Sequence, residues 1–344
     1  MAKGLDVGTS FIVLASDGEA PVSYTSDDKF GYVKYKDFRD AFFVIKPTTP
    51  VATKMIEKGL QGKVFVKDAD GAFIILGQDA IEKAIERNDS AKRPMYRGVV
   101  SPKEKEAKRV LAYILQEVCG KASEPDEKLV FCIPAQPVDQ EDDEFDVGYH
   151  EDVVKTVLQG QGYSARAINE AEALCYSELE NDDYTGVALS WGAGMVNCCV
   201  MLNGEPTVTF STTKSGDWID RMAGIATGEP DSVVQAEKEQ GEFVIGEQNE
   251  NPVLAAVSAY YERLIDYTTK QLANALRGHK LLPKFKNPLL IALAGGTTQA
   301  QGFVKMFEQK IVENGFPLPI KEVRHASDPL HAVARGCLIA AKVL

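Results

Sequence analysis

Long apolar runs are missing from this chain. The longest stretches, such as Leu289–Ala294, fall far short of the roughly 20 residues that span a bilayer, and the N-terminus has no signal-peptide pattern. That excludes a membrane-spanning protein and points to the cytoplasm. Excess positive charge is missing as well: 38 Lys and Arg stand against 50 Asp and Glu, a net charge of −12. Long-range attraction to nucleic acid or to an anionic membrane surface would have the wrong sign. Paired cysteine spacing is the third absence. Cys119, Cys132, Cys175, Cys198, Cys199 and Cys337 form no C-x-x-C and mostly sit within apolar runs. They read as buried small hydrophobes in a reducing compartment, not as metal ligands.

What is present is enough apolar material, 44% of 344 residues, for a sizeable core and about two domains. The chain opens as strand, turn, strand, with Gly4 to Val7, Phe11 to Ala15 and a turn at Asp17-Gly18. Residues 20–90 mix β-rich runs (41–45, 64–66 and 73–76) with short helical stretches, the pattern of a small inserted subdomain. Ser101-Pro102-Lys103-Glu104 has capping-box spacing with proline at the first helical position. It predicts a helix burying Ala107, Val110, Leu111, Ile114, Leu115 and Val118 and ending at Gly120. Leu129 to Ile133 reads as a buried strand stopped by Pro134, and the acidic segment 139–146 as a solvated loop before the next helix.

The second half repeats this order. Gly186 to Leu189 and Asn197 to Leu202 read as strands around a turn at Trp191-Gly192-Ala193-Gly194. A long helix follows from about Leu254 to Arg277, then a buried strand at Leu289 to Ala294 and a helix near Gly302 carrying Phe303, Met306, Phe307 and Ile311. A last helix starts at Asp328-Pro329 with Leu330, Val333, Ala334, Cys337 and Leu338 inward. Strand-turn-strand modules in both halves predict duplicated α/β lobes.

Two glycine-rich turns carry the chemistry: Gly4-Leu5-Asp6-Val7-Gly8-Thr9-Ser10 and Ala294-Gly295-Gly296-Thr297-Thr298. Glycines let a backbone approach a ligand while main-chain N–H groups face its phosphates. Either turn alone is also compatible with an ordinary hairpin; the two together suggest a nucleotide held between two lobes.

At these residues the chain resembles the actin-like ATPases, and MreB-like bacterial filament proteins among them. Gly4 to Ser10 looks like the first phosphate loop, Ile168 to Ala173 like the segment supplying the catalytic polar residue, and Ser190 to Gly194 like the second phosphate loop. Ala294 to Gly302 looks like the adenosine motif and Asp328 to Gly336 like the C-terminal helix, so the resemblance spans nearly the whole chain. It implies an actin-like fold of two RNase H-like lobes flanking a nucleotide cleft. Lobe I would take residues 1–167 and 325–344, and lobe II residues 168–324 with a subdomain at about 217–260. It also implies ATP or ADP with Mg²⁺ as ligands. Asp6 would hold the ion through water, and Gly8, Thr9, Ser10, Gly192, Ala193, Gly194, Asp217, Gly295, Gly296 and Thr297 would line the nucleotide. Glu170 matches the position that orients the attacking water, with Glu172 the competing candidate, and Glu237 resembles the ribose contact.

One departure stands out: the second phosphate loop begins with Ser190 and Trp191 where the family has aspartate. A lost positioning group typically costs about 10²–10⁴ in rate, so the resemblance implies slow hydrolysis with binding less affected. The leading expectation is a filament-forming, self-assembling ATP-binding protein. A switch-like scaffold that does not hydrolyse ATP is the alternative from another class, and a small-molecule kinase a third. Only Met1, Ala2 and Lys3 precede the first strand, leaving no N-terminal membrane helix. Residues 41–44 read as core strand, with an apolar membrane loop as the alternative.

Overall fold

The computed structural model describes residues 2–18, 32–140 and 145–343. The expected turn after Asp17 leads into residues outside that set, as does the middle of the acidic segment.

The first lobe begins with the antiparallel meander β1 (Ala2–Val7), β2 (Phe11–Asp17) and β3 (Val33–Arg39). An insertion follows: β4 (Phe42–Ile45), α1 (Pro50–Gly59), β5 (Phe65–Lys67), β6 (Phe73–Leu76) and α2 (Gln78–Ile85). The three inserted strands form their own sheet in the order β4-β6-β5, and Phe43, Ile45, Leu60, Phe73 and Ile75 give it a separate core. Phe42 and Phe43 are buried, so 41–44 is core strand. A small hairpin, β7 (Met95–Tyr96) and β8 (Val99–Val100), leads to α3 (Ala107–Cys119), β9 (Glu127–Ile133), α4 (Val147–Gly160) and β10 (Tyr163–Asn169). Parallel pairing of β9 with β1 and of β10 with β9 completes a sheet ordered β10-β9-β1-β2-β3.

After α5 (Glu170–Glu178) the pattern repeats. The meander β11 (Gly186–Trp191), β12 (Val196–Leu202) and β13 (Glu205–Thr212) is followed by helices α6 (Gly216–Thr227), α7 (Asp231–Gln240) and α8 (Pro252–Leu276). Then come β14 (Leu289–Ala294), α9 (Phe303–Glu313), β15 (Ile320–His325) and α10 (Ala332–Val343). This sheet runs β15-β14-β11-β12-β13, the same order as the first. The expected duplication is therefore complete strand for strand. The strands carry lobe I to Asn169 and lobe II to His325. The stretch expected as a second subdomain has no core of its own: Ile219, Ala223 and Val234 pack into the cluster around Leu189, Trp191 and Leu293.

Two helices join the lobes. α10 is buried all round, as a helix without a polar face must be, and packs on β1 and on α5. Gly336 sits where α10 crosses α5, and a Cβ there would overlap the carbonyl of Ala173. Behind α5 lie Ala188, Cys199 and Leu290 of the second sheet, in one cluster with Cys337 and Ala340.

Three further expectations need correction. The capping-box residues do not cap: Ser101 N–H donates to the Pro94 carbonyl, Glu104 pairs with Lys92 at 2.9 Å, and α3 starts only at Ala107. Asp139 is not a solvated loop residue, since it accepts from Thr213 N–H at 2.8 Å and from the Tyr267 hydroxyl at 3.0 Å. Leu330 is not inward; it precedes α10 and is exposed at the rim of the inter-lobe cleft.

Candidate functional site

The first two strands of each duplicated meander are joined by matching turns. Gly8 N–H donates to the Phe11 carbonyl at 3.1 Å, and Gly192 N–H donates to the Met195 carbonyl at 3.0 Å. The two turns line one cleft of about 300 Å³ between the lobes, together with Asp6, Glu170, Ser190, Asp217 and the Gly295-Gly296-Thr297 turn. A second cavity of about 440 Å³ lies beside the inserted sheet; in its lining Arg109 pairs with Asp68 at 2.7 Å and Lys92 with Glu104 at 2.9 Å.

The third turn is welded to the second. The Gly192 carbonyl accepts from Ser215 Oγ at 2.5 Å and from Thr297 Oγ1 at 2.9 Å, while Gly295 N–H donates to the Pro329 carbonyl at 2.7 Å. Gly295 has φ of 97°, and a Cβ there would overlap the Trp191 carbonyl, so a side chain is excluded on both grounds. Trp191 itself does not belong to the turn. It ends β11, fully buried, edge-on to Phe303 at 5.0 Å and Phe307 at 6.2 Å.

Asp6 leaves the end of β1 and accepts from the Cys132 thiol at 3.2 Å. Burial pushes its carboxyl up to about 6, against the lowering effects of that thiol and of His331. Glu170 opens α5 behind the N-cap Asn169, whose side chain accepts from Ala171 and Glu172 N–H. Ser190 Oγ donates to Glu170 Oε1 at 2.6 Å and Asn197 Nδ2 to Oε2 at 2.8 Å. Burial first, and then Asp6, raise Glu170 to about 8. Among the described residues no cluster of three or more His, Cys, Asp or Glu surrounds a metal position.

Other sequence-derived residues fall less simply. Thr9 Oγ1 accepts from Gly98 N–H at 2.9 Å, and Gly194 packs against Thr9 and Gly98 outside the cleft lining, so it serves the turn and not the cavity. Asp217 lines the cleft with its carboxylate on Arg93 at 3.0 Å. Glu172 points elsewhere, accepting from the Tyr176 hydroxyl at 2.8 Å. Glu237 is displaced too: it accepts from Asn251 Nδ2 at 3.0 Å, while Gln235, Lys238 and Glu239 of α7 line the cleft. One residue along a helix turns a side chain by about 100°, and the polar run 235–240 carries no signal that sets this phase. Arg39, at the end of β3, is a cleft residue absent from the sequence reading.

Two sheets of identical order, joined by buried helices and facing a cleft at matching turns, define an actin-like two-lobed protein. Solved structures share this fold. A MamK double helical filament aligns with TM-score 0.73 at 20% identity, covering 99% of this chain and 98% of that one. MreB 5 of Spiroplasma citri bound to AMPPNP aligns with TM-score 0.64 at 14% identity, covering 99% and 95%. The ethanolamine utilization protein EutJ from Carboxydothermus hydrogenoformans aligns with TM-score 0.51 at 13% identity, covering 99% and 89%. No curated protein matches in sequence. Within the actin-like class the chain belongs to the Volactin family, whose model matches residues 1–341.

Proposed function

We propose that this protein binds ATP with Mg²⁺ in the inter-lobe cleft and polymerises with itself into cytoplasmic filaments, hydrolysing the nucleotide slowly. The observation that carries the reading is the pair of matching glycine turns lining one cleft beside Asp6 and Glu170. Backbone N–H groups of such turns receive phosphate oxygens, and Asp6 would hold the water shell of the ion. Bound Mg²⁺ would neutralise phosphate charge and favour the ionised form of both carboxyls. Glu170, reaching the same cleft, would accept a proton from or orient a water. The MamK double helical filament and the AMPPNP bound to MreB 5 support assembly and nucleotide binding by analogy of fold.

A second reading, a nucleotide-driven switch that does not hydrolyse, is favoured by one contact. Ser190 and Asn197 already occupy both oxygens of Glu170, leaving it poorly free to act on water. Sedimentation at several protein concentrations with and without Mg-ATP, with electron microscopy of the pellet, separates the two. Regular filaments that pellet above a critical concentration support the filament reading. A protein that binds nucleotide but stays in the supernatant supports the switch. Phosphate release measured alongside reports the hydrolysis.

A further inference from the structure

Neither phosphate-facing turn carries a cation: residues 4–15 and 190–195 contain no Lys or Arg. Phosphate charge must therefore be met by Mg²⁺ and by basic side chains brought from elsewhere. Three basic groups stand at or beside the cleft. Lys238 is locked on Asp220 at 2.7 Å, and Arg93 on Asp217 at 3.0 Å. Arg39 is differently held. Its Nη1 donates to Ser10 Oγ at 3.0 Å, at the far end of the first turn, and its guanidinium lies over the Phe11 ring, 4.0 Å from the centroid. Its carboxylate partner, Glu239 of α7, stands across the cleft at 3.9 Å, the loosest of the three pairs.

We infer that Arg39 is a phosphate-binding residue of the nucleotide site, and that Glu239 holds its guanidinium only until phosphate arrives. The inference rests on the nucleotide reading above. A guanidinium bonded to Ser10 stands beside any anion that the turn receives, and its planar fork matches two phosphate oxygens better than it matches a carboxylate at 3.9 Å. The Phe11 face keeps the fork in plane while it changes partner. The exchange also has a structural consequence. Arg39 belongs to lobe I and Glu239 to lobe II, so replacing their direct pair with a shared phosphate makes the contact between β3 and α7 depend on the nucleotide.

The test is calorimetric titration of Mg-AMPPNP into the full chain and into Arg39→Ala, Arg39→Lys, Glu239→Gln and the Arg39→Ala/Glu239→Gln double variant, each checked by thermal melting. Arg39→Ala should weaken binding about 10- to 100-fold, the range for losing a charge-assisted hydrogen bond, with Arg39→Lys between it and wild type. Glu239→Gln should bind more tightly than wild type, because Arg39 loses its competitor. The double variant should bind no better than Arg39→Ala. Wild-type affinity in Arg39→Ala, or a Glu239→Gln gain that survives without Arg39, overturns the inference while leaving the nucleotide site intact. Failure of the wild-type chain to bind Mg-AMPPNP overturns the nucleotide reading and this inference with it.

Discussion

At the scale of single residues the site is a question of where protons sit. Glu170 is raised from 4.5 to about 8 and Asp6 from 3.8 to about 6, both chiefly by burial. The folded protein therefore holds protons that the unfolded chain has released, and nucleotide-free stability falls as pH rises from about 4 through about 8. Glu170→Gln should flatten that fall. Its amide can donate to Ser190 and accept from Asn197, and it cannot repel Asp6. Melting temperatures followed from about pH 5 to pH 9 check this; equal slopes for variant and wild type would mean the carboxyl ionises without cost. Ser190→Asp belongs to the same account. It replaces the hydroxyl donated to Glu170 at 2.6 Å with a third carboxylate in a buried cluster. Metal-free Ser190→Asp should melt below wild type, recover most of the loss with Mg-nucleotide, and release phosphate faster. A variant as stable as wild type without metal would show that the added carboxyl is itself held protonated in the cluster. At this scale motif register singled out Asp6, Glu170, Gly8, Gly192, Gly295 and Gly296, which line one cleft, and also Gly194, which does not. It missed Arg39 and took Glu237 for its neighbours, because a lone charge on a strand end or a polar helix carries no periodic signal of which way it faces.

At the scale of elements, backbone proximity matters more than propensity. Gly336 is a poor helix former by intrinsic preference, yet it occupies the middle of α10. The close crossing over Ala173 of α5 explains it. Gly336→Ala would gain helix propensity on paper, but overpacking of this kind typically costs about 1–3 kcal/mol. The variant should unfold at lower urea, and a midpoint at or above that of wild type would show that the two helices can separate cheaply. The sheet-edge strands β3, β10, β13 and β15 are partly exposed and were not read, whereas buried strands were legible to within a few residues because runs such as Leu289–Ala294 are apolar throughout. The start of α3 was not. Ser101 and Glu104 have the right types and spacing for a cap, but a hairpin carbonyl and Lys92 claim them first. A capping box is a local signal, and tertiary partners outbid it.

At the scale of the whole molecule, the lobes meet at a buried joint and at the cleft. The joint is α5 against α10. Asp139 adds a second tie, holding lobe I to Thr213 and Tyr267 of lobe II. Across the cleft the direct links are ionic, Arg93 with Asp217 and Arg39 with Glu239. Partly exposed ion pairs of this kind contribute only about 0–1 kcal/mol to stability, but they can decide how far two hinged bodies separate. Arg93→Ala should raise the radius of gyration of the nucleotide-free protein in small-angle X-ray scattering and should also lower the melting temperature, because Arg93 is the cation facing the buried Asp40 carboxyl as well as Asp217. An unchanged radius would show that the joint, Asp139 and the Arg39–Glu239 pair hold the lobes without it. By itself the sequence determined the α/β duplication, the buried strands, the three glycine turns and the residue types they bring together. All of these are encoded by short-range patterns of apolarity, glycine and spacing. Only the tertiary structure decided which polar side chains share the cleft, that Trp191 belongs to the core, and that the lobes are tied by Asp139 and by arginine pairs. Those depend on contacts between residues up to more than a hundred positions apart, whose geometry no local pattern records.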